Sequence, residues 1–244
     1  VSGSAFINEG IHQSANATGG SASVNIDNSG LIEISAEGNS ALTPVGVAQA
    51  TAIITSGIHQ HASGVNTVLG PSEVDAAVAL TNESTGTITV VAAANVFGLT
   101  SARAFATVDT GISQFAHVTQ NVGTFEEGDA TVALTNDGLI TIAARAHATG
   151  ANFALASASL SDTGIFQEAS NGDNSSVTLT NSLGATLNVD ATDLAHAASG
   201  HAPTIASVTL GPSPAAHARG HSRPAPGTHP NRGPTPVPAP AHSV

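Results

Sequence analysis

The spelling Gly-Ile-x-Gln occurs four times, as GIHQ at 10–13, GIHQ at 57–60, GISQ at 111–114 and GIFQ at 164–167. A catalytic site is normally built once, whereas a feature copied at near-constant spacing marks a unit of architecture. Each copy opens a unit with the same later landmarks. The first is V-x-[IL]-x-N, found at Val24–Asn28, Val78–Asn82, Val132–Asn136 and Val177–Asn181. Its valines are spaced 54, 54 and 45 residues apart. A turn glycine follows, Gly30, Gly86, Gly138 or Gly184, and after the last of these the strand residues Leu187 and Val189 come one residue late. An alternating apolar stretch comes next, and a run alternating on small residues closes the unit, as in ARAFATV (102–108).

Strict alternation places successive side chains on opposite faces and predicts strands. VALTNDGLITIAA (132–144) reads as strand, Asn-Asp-Gly turn and strand, with the glycine supplying a positive φ. Alanine-rich runs carry helix propensity, but their period of two favours strand. The sequence has no Cys, Met, Trp, Tyr or Lys, and seven Phe are its only aromatic residues. Small and β-branched side chains fill narrow, layered interiors better than a round core.

These features predict an all-β chain: a β-solenoid (β-helix) over 1–210 built from four repeats of about 54 residues. The units run near 10–56, 57–110, 111–163 and 164–210. A subdivision of each unit into two coils of about 27 residues gives a rod on the order of 40 Å long. From Gly211 the chain carries nine prolines in 34 residues, which predicts a disordered, extended tail. Its four histidines are a loose cation-binding feature at most.

All 17 acidic residues lie in 1–210, opposed by Arg103 and Arg145, for a formal charge of −15. Such a body repels phosphate backbones, which argues against nucleic acid as a partner. There is no apolar run of 18 residues, so no membrane span is expected. The lack of cysteine fits an extracellular or cell-surface protein stabilised by repetition rather than by disulfides.

Catalytic signatures are missing: the sequence has no GxSxG, no HExxH, no phosphate loop and no cysteine pair. His12, His59 and His61 invite a metal, but no third convergent ligand accompanies any pair. The x of GIxQ is His, His, Ser and Phe, a tolerance expected of a solvent-facing position. Glu126, Glu127 and Asp129 supply too few oxygens for a calcium site, leaving at most weak divalent binding by the acidic body. Thr81, Thr135 and Thr180 recur at one position, an arrangement of interest for ice binding, but Asp27 breaks the rank. No metal, no cofactor and no enzyme activity are therefore expected.

What all four units share is amide side chains: Gln13, Gln60, Gln114 and Gln167, with Asn28, Asn82, Asn136 and Asn181. In a stack, like amides hydrogen-bond from rung to rung. Because Ile and Gln of GIxQ stand two apart, both face the interior, and the Gln must find amide partners in adjacent rungs. GIFQEASNGDNSSVTLTN (164–181) resembles the repeats of curli-type extracellular amyloid subunits, and the units are similar to repeats of bacterial surface and adhesin proteins. The resemblance implies a self-assembling structural subunit of an extracellular fibre or matrix. An adhesin-type or ice-binding module that binds a target without polymerising is the alternative. The stretches VSGSAFIN (1–8) and PTIASVTL (203–210) read as strands at the two ends, without an obvious cap at either.

Overall fold

The structure, a computed structural model, describes residues 1–41, 46–67, 73–120, 128–208 and 215–217. The chain runs through β1 (Ser2–Thr18), β2 (Ala22–Asn28) and β3 (Leu31–Ala41), then β4 (Val47–Asn66), β5 (Ala76–Asn82) and β6 (Thr87–Gly98). The same trio returns as β7 (Ser101–Gln120), β8 (Ala130–Asn136) and β9 (Leu139–Gly150). A fourth trio follows as β10 (Phe153–Ser170), β11 (Ser175–Asn181) and β12 (Thr186–Ala197). Two short strands come last, β13 (Thr204–Val208) and β14 (Ala215–His217). No helix occurs among the described residues.

The strands form three stacked parallel sheets. The first has the order β1-β4-β7-β10-β13, with β14 also on β10; the others are β2-β5-β8-β11 and β3-β6-β9-β12. This is a β-solenoid-like architecture in which every strand pairs with its counterpart in the next trio. The register is regular apart from one shift between β10 and β7 at Leu160/Thr163. Val24, Val78, Val132 and Val177 are direct neighbours, as are Ile11, Ile58, Ile112 and Ile165. The loops between strands absorb the differences in unit length, so a spacing of 45 or 54 leaves the pairing untouched.

Neighbouring strands lie a whole unit apart in sequence, and this corrects the two-coil subdivision. Each unit is one turn of three strands, not two turns of two. With rungs about 4.8 Å apart, four trios span on the order of 20 Å, half the expected length. The closing small-residue run of one unit and the GIxQ of the next also merge into a single strand. ARAFATV and GISQ both lie in β7.

Alternation explains the core. In β4 the inward Ala48, Ala50, Ala52 and Ile54 are buried, while Gln49, Thr51 and Ile53 between them are exposed or partly exposed. Alanine dominates where the first and third sheets approach most closely. A Cβ on Gly38 would strike the Thr51 carbonyl, and one on Gly150 would strike that of Phe153. No bulky side chain fits there, which is why the composition lacks them. Larger residues, Ile88 and Ile140 of the third sheet and Leu80 and Leu134 of the second, fill the wider end.

Of the Pro-rich tail, only Ala215–His217 is described; it pairs with Glu168–Ser170. The remainder, like Glu126 and Glu127, lies outside the described residues.

Candidate functional site

The shared amides form two columns. Gln60 Nε2 donates to Gln13 Oε1 at 3.0 Å, Gln114 Nε2 to Gln60 Oε1 at 2.9 Å, and Gln167 Nε2 to Gln114 Oε1 at 2.8 Å. Each Nε2 also donates across the interior to the second sheet, reaching Ala79 O, Ala133 O and Thr178 O. Gln60, Gln114 and Gln167 are fully buried. Glutamine is long enough to cross between sheets and carries two donors, so it ties rung to rung and sheet to sheet together. One atom is left over: Gln167 Oε1 is buried and has no partner.

The asparagines stand at the corner between the second and third sheets. Asn28 Nδ2 donates to Asn82 Oδ1 and Asn82 Nδ2 to Asn136 Oδ1, both at 2.8 Å, and Asn136 Nδ2 to Asn181 Oδ1 at 2.7 Å. They also bond the turn carbonyls of Gly30, Gly86 and Ala185. The corner is thereby fixed by side-chain amides.

The glycines act differently from the sequence expectation. Of Gly30, Gly86, Gly138 and Gly184, only Gly184 has a positive φ, 91°. Gly86 and Gly138 are required by close approach instead, because a Cβ on Gly138 would strike the carbonyls of Glu83 and Gly86. Thr186 pairs with Leu139, so Ala185, not Gly184, stands at the matching place in the fourth unit. The glycine of GIxQ does not turn the chain either. Gly57 and Gly111 lie within continuous strands, where a Cβ would sit 2.7 Å from a Val90 methyl or 2.6 Å from Ile142 Cδ1. A glycine marks both turns and tight contacts, and the sequence alone does not separate them.

A third polar column was not anticipated. At the corner between the first and second sheets, Asp75 N–H donates to Ser21 Oγ and Asp129 N–H to Asp75 Oδ1. Asn174 Nδ2 donates to Asp129 Oδ1. Asp129, considered above as a calcium ligand, thus lies in the stack: its N–H is capped by Asp75 and its carboxylate accepts from the Asn174 side chain. The signal available in the sequence was the alignment of Ser21, Asp75 and Asp129 ahead of each V-x-[IL]-x-N.

On the outer face of the first sheet, the x position of GIxQ is more covered than expected. His59 is partly buried and Ser113 only 5% exposed. Rings meet across rungs: His12 edge-on with its direct neighbour His59 at 5.1 Å, then diagonally His59 with Phe115 at 5.4 Å and Phe115 with Phe166 at 5.1 Å. His59, Phe115 and Phe166 line a shallow groove of about 300 Å³ with Thr110, Ser113 and Asp162. His59 Nδ1 and Ser113 Oγ share a hydrogen bond of 2.8 Å. Burial, reinforced by the charge of His12 and then His61, lowers the His59 pKa against the opposing pull of Glu9.

Among the described residues no three His, Asp or Glu side chains gather to hold a metal ion. No helix among them is long and apolar enough to cross a membrane. No family model, curated protein or solved structure matches this chain.

Proposed function

We propose that the chain is a structural module that works by stacking: a parallel β rod that associates with further copies of itself through exposed rung edges, without catalysis. One observation carries this reading. The polar residues common to all four units bond between units, and the Gln column ends on a buried oxygen, Gln167 Oε1, that still lacks a donor. A buried acceptor left unpaired costs about 1–3 kcal/mol, so a further amide stacked above it is favoured. The end strands add to this, because Phe6, Leu31, Leu179 and Leu194 are exposed on the first and last trios. A cysteine-free, acidic chain stabilised by repetition suits an extracellular or cell-surface matrix.

The test is light scattering on the purified chain across a concentration series, with electron microscopy of the heaviest fraction. Mass should rise with concentration through elongated particles. A mass fixed at 23.9 kDa at every concentration overturns the reading.

A further inference from the structure

The groove on the outer face of the first sheet has two walls of different chemistry. One wall comes from a bend in each long strand. Ile54 is buried, and a Cβ on Gly57 would meet the Val90 side chain, so both turn to the interior. Val108 and Gly111 do the same, the latter against Ile142. Between two inward positions three apart, a strand presents two consecutive residues outward instead of one. β4 thereby gives Thr55 and Ser56 to the groove, β7 gives Thr110, and the bulged stretch of β10 gives Asp162 and Thr163. The other wall is aromatic, from His59, Phe115 and Phe166. His59, Ser113 and Phe166 are neighbours in register, and the small serine between two rings is what leaves the hollow.

Charge in the groove has one sign. Asp162 is the one carboxylate among the lining residues and no arginine stands with it, while the lowered pKa of His59 keeps that ring neutral at pH 7. Thr110 Oγ1 donates to Asp162 Oδ2 at 3.4 Å, a long bond from a neutral group to an ionised one. Ser56, the neighbour of Thr110 in register, has a buried Oγ without a partner, and rotation about its χ1 brings a second hydroxyl oxygen to bear.

These features select a ligand. An anion is repelled by Asp162. A cation is drawn both to the carboxylate and to the ring faces. The hydroxyl oxygens accept from N–H groups, which a primary ammonium carries and a quaternary one lacks. A short alkyl chain covers the apolar rings, and about 300 Å³ lies at the small end of ligand pockets. The sequence has no lysine, so another copy of the chain does not bring such a group.

We propose that this groove binds a small primary alkylammonium ion, its ammonium held by Asp162 and the Thr110 and Ser56 hydroxyls and its alkyl chain laid on Phe115 and Phe166. The site is separate from the rung edges and does not depend on the stacking reading.

The test is a titration of the full chain with n-pentylammonium at about 0.01 M ionic strength, where like charge keeps copies apart, read by NMR shifts of the Phe115 and Phe166 rings. 1-Pentanol, the same chain without the charge, should bind at least tenfold more weakly. Asp162→Asn should weaken ammonium binding about tenfold or more and Phe166→Leu about threefold. Glu33→Gln, which removes one charge from the outer face of β3, should change it by about twofold at most. Equal binding of the alcohol and the ammonium overturns the proposal, as do equal losses in Asp162→Asn and Glu33→Gln or shifts that spare both rings. Ammonium binding should weaken when salt is raised to about 0.15 M. Absent binding in a chain whose mass still rises with concentration overturns this site alone, and binding retained in a chain of fixed mass overturns the stacking reading alone.

Discussion

Gln114 occupies the middle of its column, where it donates to Gln60 Oε1 and Ala133 O and accepts from Gln167 Nε2. Leucine fits the volume but removes three hydrogen bonds, leaving Gln60 Oε1 without its donor and taking one partner each from Ala133 O and Gln167 Nε2. At about 1–3 kcal/mol each, the expected loss for Gln114→Leu is roughly 3 kcal/mol or more in a urea titration. A loss below about 1 kcal/mol would show that the column does not hold the rungs together. His59 makes a second prediction at this scale. Its folded pKa lies below the unfolded value, so near and below pH 6.5 the unfolded chain binds more protons. The stability this contributes is complete above the unfolded pKa and declines as the pH falls through it and on towards the folded one. Thermal melts from pH 7.5 to 5 should therefore show a downward slope that His59→Phe lessens, the phenyl ring keeping the contact to Phe115. An identical slope in the variant removes His59 as its source.

Among the elements, β10 shows how the interior face is kept. Against β7 it carries one extra residue between Leu160 and Thr163, where the register shifts. A one-residue slip moves every later side chain to the other face. The bulge absorbs it, and Gln167 still meets Gln114. Deleting Asp162 should then restore plain pairing and leave stability within about 1 kcal/mol of the parent, whereas deleting Asp109 from unbulged β7 should turn Gln114 outward and cost several times that. Equal losses in chemical denaturation would mean that the bulge is not what holds the parity. The strands themselves were legible because alternation is a local signal, and Ala48–Ile54 or Ile140–Ala144 show it in a few residues. How often the chain turns within a unit was not legible. Period fixes the repeat length, whereas the number of strands per turn depends on whether ARAFATV and GISQ join or part, and Gly111 between them permits either. The Asp75–Asp129 column stayed hidden for a different reason: its acceptors serve backbone N–H groups of the next rung, which no side-chain spacing announces.

At the scale of the whole molecule, two forces oppose one another in any association of copies. The rung edges offer hydrogen bonds and half-covered apolar side chains such as Leu179 and Ile205. The body carries −15, and in a stack like charges face one another rung by rung, as Asp75 and Asp129 already do within the chain. Attraction of the first kind is short-ranged and little affected by salt, while repulsion of the second kind reaches about 30 Å at 0.01 M ionic strength and about 8 Å at 0.15 M. Raising sodium chloride over that range shortens the repulsion to less than two rung spacings of about 4.8 Å and leaves the edge contacts intact. Association by stacking must therefore strengthen with salt, and the mass from light scattering at fixed protein concentration should climb. Association that weakened with salt would point to contacts between unlike charges, for which the five arginines after position 102 are the available cations, three of them after His217. Copies would then be held by the tail against the acidic body, and not by the rungs.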